Sequence, residues 1–175
     1  MKKTKKMMTL AAVVLISVTL HAQSYGIEGP TLHPNKLGLV YENAIEKNAP
    51  GKVNLHRVNY KVEGIDVVAN VYTPAGYTPT GSYAAVVVAH PNGGSKDQTA
   101  GLYAQRLAES GFVTIAFDAR YQGESGGEPR RTDKPANRIG DIRGAIDFIQ
   151  TYPGVDPERV GAFGICGGGG YTFPL

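Results

Sequence analysis

The residues best suited to chemistry lie near the end of the chain, in Val160-Gly161-Ala162-Phe163-Gly164-Ile165-Cys166-Gly167-Gly168-Gly169-Gly170-Tyr171. An apolar run leads into a glycine-rich reversal with one thiol at its apex. The spacing Gly164, Cys166, Gly168 is the cysteine form of a nucleophile elbow, in which a strand turns sharply into a helix and lifts a nucleophile out of the sheet. A nucleophile held there sits in a strained backbone conformation, so its neighbours must be small. Free N–H groups at the start of the following helix favour negative charge that develops beside the thiol. The chemistry this predicts is attack of the Cys166 sulfur on an acyl carbon.

A plainer reading of the same residues is a strand-to-helix turn around a buried, inert cysteine. Two nucleotide-binding readings fail: no register of the glycines gives Gly-x-Gly-x-x-Gly, and no Gly-Lys-Ser/Thr is present. Cys166 is the only cysteine, which rules out an intramolecular disulfide and a metal held by a cysteine cluster. His21, His33, His56 and His90 lack metal-binding spacing.

The elements that must position the thiol are legible upstream. Val53–Val62 alternates apolar and polar residues, Glu63-Gly64 marks a turn, and Ile65–Thr73 is rich in β-branched residues, which together predict an antiparallel hairpin. Tyr83–His90 is apolar on both faces, as suits a covered parallel strand. It ends in His90-Pro91-Asn92-Gly93-Gly94-Ser95, a small-residue loop able to aim backbone N–H groups at a ligand. The alternative for this loop is a turn capping a helix through Ser95 or Asp97. His90, at a strand end, reads as a loop brace rather than a general base.

Gln98–Ser110 predicts a helix with Leu102 and Leu107 on its apolar face and Gly111 closing it. Phe112–Phe117 is the next buried strand. The loop after it holds Asp118, Arg120 and Ser125; Asp118 and Arg120 read as a structural ion pair, and Ser125 has no activating partner. Ile139–Tyr152 predicts an amphipathic helix with Asp141, Arg143 and Asp147 on the solvated side. Val155–Arg159 reads as a turn into the Val160–Phe163 strand. Alternating strands and helices make this an α/β protein with a largely parallel sheet flanked by helices.

The 175 residues fit one domain. The net charge of +3 comes from Lys2, Lys3, Lys5 and Lys6; without them 14 basic residues (18 less 4) face 15 acidic ones. No basic surface for nucleic acid is expected. The lysine-rich start, the Leu10–Leu20 apolar run and the small Ala22 read as a signal peptide over residues 1–22. The run is shorter than the roughly 20 apolar residues that a membrane span requires. The expected product is exported, periplasmic or secreted, with no membrane association after cleavage. Residues 23–52 form an N-terminal arm, with a short helix near Leu39–Lys47.

From Val53 to Tyr171 the chain resembles the N-terminal half of an α/β-hydrolase, nearest the dienelactone-hydrolase-like and fungal polyketide-transferase-like branches. The resemblance rests on His90-Pro91-Asn92-Gly93-Gly94, Phe117-Asp118-Ala119-Arg120, Gly123-Glu124-Ser125-Gly126-Gly127, Asp156-Pro157-Glu158-Arg159-Val160 and the elbow. It implies Cys166 as nucleophile and the Gly167 N–H as one oxyanion donor. Asn92 or Gly93 supplies the second, with no metal or cofactor. The implied substrates are small esters, lactones or thioesters. Acyl transfer is an alternative outcome; a prolyl-oligopeptidase-like peptidase shares the fold but expects a serine at the elbow.

In this fold the triad acid and histidine follow the nucleophile, and nine residues follow Cys166. Residues 53–175 are therefore expected to be a partial hydrolase domain, truncated after the elbow, with negligible turnover and with Val160–Phe163 as an exposed apolar edge. A non-enzymatic remnant or binding module is the competing reading. The sequence leaves the oligomeric state open.

Overall fold

A computed structural model describes residues 39–175; the expected signal peptide and most of the arm lie outside the described residues. The hairpin forms as expected, with β1 (Asn54–Val62) antiparallel to β2 (Ile65–Thr73). Next come β3 (Tyr83–Ala89), α1 (Thr99–Glu109), β4 (Val113–Phe117), α2 (Pro135–Gln150), β5 (Val155–Gly164) and α3 (Gly167–Thr172). The sheet order is β1-β2-β4-β3-β5. Pairing is antiparallel from β1 to β4 and parallel across β4, β3 and β5.

Helices cover both faces of this sheet. On one, Ile142, Ala145 and Ile149 of α2 pack against Val67, Val87 and Ile115. On the other, Ala100, Ala104 and Ala108 of α1 pack against Leu55, Tyr72 and Val88. Neighbouring Val87 and Val88 thus serve opposite cores, as strand alternation requires. This is the α/β architecture expected, and β5 is the edge strand with Phe163 39% exposed.

Several local expectations change. Residues 39–47 form turns rather than a helix. This stretch is held by side chains instead: Tyr41 donates to Gln105 Oε1, and Gln105 Nε2 donates to the Asn43 carbonyl. The buried face of α1 is made of Ala100, Gly101, Ala104, Ala108 and Gln105, while Leu102 and Leu107 are half-buried, because small residues let the helix approach the sheet closely. Neither Ser95 nor Asp97 caps α1; the N-cap is Gln98, without a side-chain cap bond. Val155 already pairs with Tyr83, and the ladder resumes only at Val160 with Ala85. The expected turn at 155–159 is therefore a bulge within β5, pinned by Asp156, which accepts from Arg159 Nε and the Glu158 N–H.

Candidate active site

The elbow is present in full. Cys166 has φ 55° and ψ −121°, a conformation side-chain-bearing residues rarely adopt, and its thiol is exposed and free. The turn is possible only because its flanks lack side chains. A methyl built on Gly164 would lie 2.3 Å from the Gly168 carbonyl carbon and oxygen, and one on Gly168 would lie 2.5 Å from the Ala89 carbonyl oxygen. The cysteine is therefore not buried.

The loop after β3 approaches the same turn. Ile165 N–H donates to the Ala89 carbonyl, tying the elbow to the end of β3. Asn92 lies over Gly167: its Oδ1 is 1.5 Å from where a methyl on Gly167 would sit. Asn92 Nδ2 also donates to the Tyr171 hydroxyl at 3.2 Å. Among the described residues the backbone N–H groups of Gly167, Asn92 and Gly93 have no acceptor, whereas Gly94 N–H closes a turn onto Pro91. Free donors near an exposed sulfur are what stabilisation of an acyl oxyanion requires. Beside Gly93 opens a cleft of about 620 Å³, lined also by Gly94, Tyr121, Arg130, Arg131 and Asp133. Arg130 is committed to the carbonyls of Gly123 and Ser125.

His90 braces, as its position predicted. Its Nδ1–H donates to the Pro91 carbonyl at 2.7 Å, and Nε2 accepts from Ala119 N–H at 3.2 Å. The ring joins the loops after β3 and β4. Burial, with the Arg138 guanidinium beside it, lowers its pKa to about 4. Both nitrogens are engaged in the neutral tautomer, so His90 has none left to accept a proton from Cys166. His56 stands on β1, at the opposite edge of the sheet from β5.

The loop after β4 is wired differently from the expected Asp118–Arg120 pair. Asp118 accepts from Lys96 Nζ at 2.9 Å and from the Lys96 N–H at 2.9 Å. Lys96 is buried, and its ammonium also contacts Asp97 at 2.9 Å and Glu124 at 2.6 Å. The three carboxylates cluster as metal ligands would, but the ammonium already lies within hydrogen-bonding distance of each. Burial pulls the Lys96 pKa down, yet Asp118, Glu124 and Asp97 outweigh it and hold it above the ordinary lysine value. Arg120 pairs instead with Asp141 of α2 and with Glu63. Asp141 is fully buried, not on the solvated side, while Arg143 and Asp147 are exposed. Ser125 is structural: its hydroxyl donates to the Asp118 carbonyl and accepts from Val68 N–H.

A family model described as the dienelactone hydrolase family matches residues 69–175, which include part of β2, β3 to β5, the His90–Gly94 loop and the elbow. The chain belongs to the dienelactone hydrolase family. It is 55% identical over 108 residues to the protein YcjY of Escherichia coli K12, covering 62% of this chain and 35% of that protein. It is 31% identical over 108 residues to thiohydrolase aneE of Aspergillus aculeatus, covering 62% and 32%. The crystal structure of PA2218 from Pseudomonas aeruginosa matches with a TM-score of 0.67 at 41% identity, over 77% of this chain and 42% of that one. The chain spans about a third of the length of the curated relatives it matches.

Within this dienelactone hydrolase framework, sequence reasoning passed over Lys96, Arg138 and Tyr171. All three act through partners far along the chain, which local periodicity does not register. A lysine next to an expected helix start, and an arginine one place before the predicted apolar face, were the available signals.

Proposed function

We propose that this protein is an acyl hydrolase acting on small esters, lactones or thioesters, with Cys166 as nucleophile. The observation that supports the reading is the strained, exposed Cys166 at φ 55° in a turn that meets the Asn92 side chain at Gly167, where among the described residues the N–H groups of Gly167, Asn92 and Gly93 have no acceptor. The Cys166 thiol gives its proton to solvent, the sulfur adds to the acyl carbon, the carbonyl oxygen takes the electron pair, and the leaving group takes its proton from solvent. Gly167 N–H and the N–H of Asn92 or Gly93 receive that oxygen, and collapse expels the alcohol or thiol to leave a thioester on Cys166. Release to water needs a base. Among the described residues neither the committed His90 nor the remote His56 supplies one, so the 175 residues tested alone are expected to stall at the acyl-enzyme.

The test is intact-mass analysis of the purified chain after incubation with 4-nitrophenyl acetate. One acetyl group is expected, located on Cys166 and absent in Cys166→Ala, without sustained nitrophenol release. No modification of Cys166 overturns the assignment. Steady turnover that Cys166→Ala abolishes supports the nucleophile and overturns the arrest. We further propose export, supported by the lysine-rich start and the Leu10–Leu20 run; an intact Met1 on a cytoplasmic product would overturn it.

A further inference from the structure

The site leaves one group unexplained. The Arg138 guanidinium is buried, 1% exposed, yet its carboxylate partner, Asp133, is 3.3 Å away, and its Nε has no hydrogen-bond partner. A buried cation so thinly paired is costly unless other groups use it. Two do. Arg138 Nη2 donates to the His90 carbonyl at 2.6 Å, and the guanidinium carbon lies 5.3 Å from the centre of the Tyr171 ring. Tyr171 in turn accepts from Asn92 Nδ2. The contacts close a ring: α2 through Arg138 to the His90 carbonyl, along the loop to Asn92, across to Tyr171 of α3, and back to Arg138.

We propose that Arg138 and Tyr171 are positioning residues that set the gap between the two halves of the oxyanion site. Gly167 N–H is carried by the elbow. The N–H groups of Asn92 and Gly93 are carried by the loop after β3. The Tyr171 hydroxyl holds the Asn92 side chain over Gly167, and Arg138 holds both Tyr171 and the root of that loop. The inference rests on the proposed acyl chemistry of Cys166 and goes beyond it, by naming what fixes the donors.

Two reactions of the same sulfur separate the ideas. Acylation by 4-nitrophenyl acetate adds the thiolate to the carbonyl carbon, forms an oxyanion, and then breaks the aryl ester C–O bond to release 4-nitrophenolate. Alkylation by iodoacetamide forms the S–C bond as iodide leaves, with no oxyanion. In both, the thiol proton goes to solvent. The ratio of the two rates therefore reports oxyanion stabilisation and cancels differences in thiol exposure.

The full chain is compared with Tyr171→Phe, which keeps the ring over Arg138 and loses only the hydroxyl, and with Arg138→Lys and Arg138→Met. Loss of one positioning hydrogen bond is expected to lower the acylation-to-alkylation ratio about fivefold in Tyr171→Phe, with the thermal midpoint and alkylation rate kept. Arg138→Lys should retain more of the ratio than Arg138→Met. An unchanged ratio in Tyr171→Phe, or an equal fall in both rates, overturns the proposal. If the unmodified chain shows only the ratio of free N-acetylcysteine, the acyl reading itself has failed and the proposal with it; an elevated ratio insensitive to Tyr171 rejects the positioning role alone.

Discussion

Asn92 Oδ1 occupies the space that a side chain on Gly167 would need, 1.5 Å from the methyl position. Gly167 does not have a positive φ, so alanine there is not strained by backbone conformation. Gly167→Ala should therefore fold, displace Asn92, and slow Cys166 acylation about tenfold, a loss near that of one hydrogen bond. Stopped-flow nitrophenol release checks it. Adding Asn92→Ala should not restore the rate, because it removes the Asn92–Tyr171 contact as well; full recovery would mean that the clash alone, and not the lost contact, slows acylation.

Gly164 and Gly161 make a contrasting pair on one strand. A methyl on Gly164 meets backbone atoms of Gly168 and Gly169 at 2.3–2.4 Å, whereas one on Gly161 meets nothing within 4 Å. Gly164→Ala should lose about 3 kcal/mol or fail to fold, and Gly161→Ala should be close to neutral. Urea denaturation followed by circular dichroism distinguishes them.

The burial that holds His90 neutral makes the fold acid-sensitive. Its pKa is about 4 in the folded chain, against about 6.5 when unfolded. Between those values the unfolded chain binds the extra proton, so stability falls as pH drops from about 6.5 to about 4, by up to roughly 3 kcal/mol. Urea midpoints across that range should show the slope, and His90→Gln should flatten it. An unchanged slope would place the acid sensitivity in other groups.

Arg120 has two acidic partners in different surroundings. Asp141 is fully buried, while the Glu63 side chain is 73% exposed. Asp141→Ala strands a buried guanidinium and should cost about 3–5 kcal/mol, whereas Glu63→Ala should cost below about 1 kcal/mol. Equal effects in a chemical denaturation series would contradict this division.

Where local pattern decides, the fold was readable from the chain. Ile65–Thr73 became β2 at those residues because β-branched side chains suit a covered strand. Cys166 stood out because only glycine tolerates the contacts around Gly164 and Gly168. Asp141 was misread because a charge on an amphipathic helix ordinarily faces water; its partner Arg120 lies 21 residues away, across a loop. Asp118 was matched with its neighbour Arg120, while the cation that it binds, Lys96, precedes it by 22 residues. The same distance hid the Asn92–Tyr171 contact, which spans 79 residues. Side-chain pairs that close long loops have no periodic signature.

The parallel ladder between β3 and β5 aligns Val88 with Phe163 and Ala89 with Gly164. The loop bearing Asn92 and the turn bearing Cys166 thus leave the sheet from the same rung. Their spacing is ruled by main-chain pairing, like two marks on a common scale. A slip of a single rung would shift the sulfur by about 3.3 Å relative to the loop, more than the tolerance of any reacting pair. Changes of side chain elsewhere can therefore accumulate without blurring the alignment, provided the rungs stay in step.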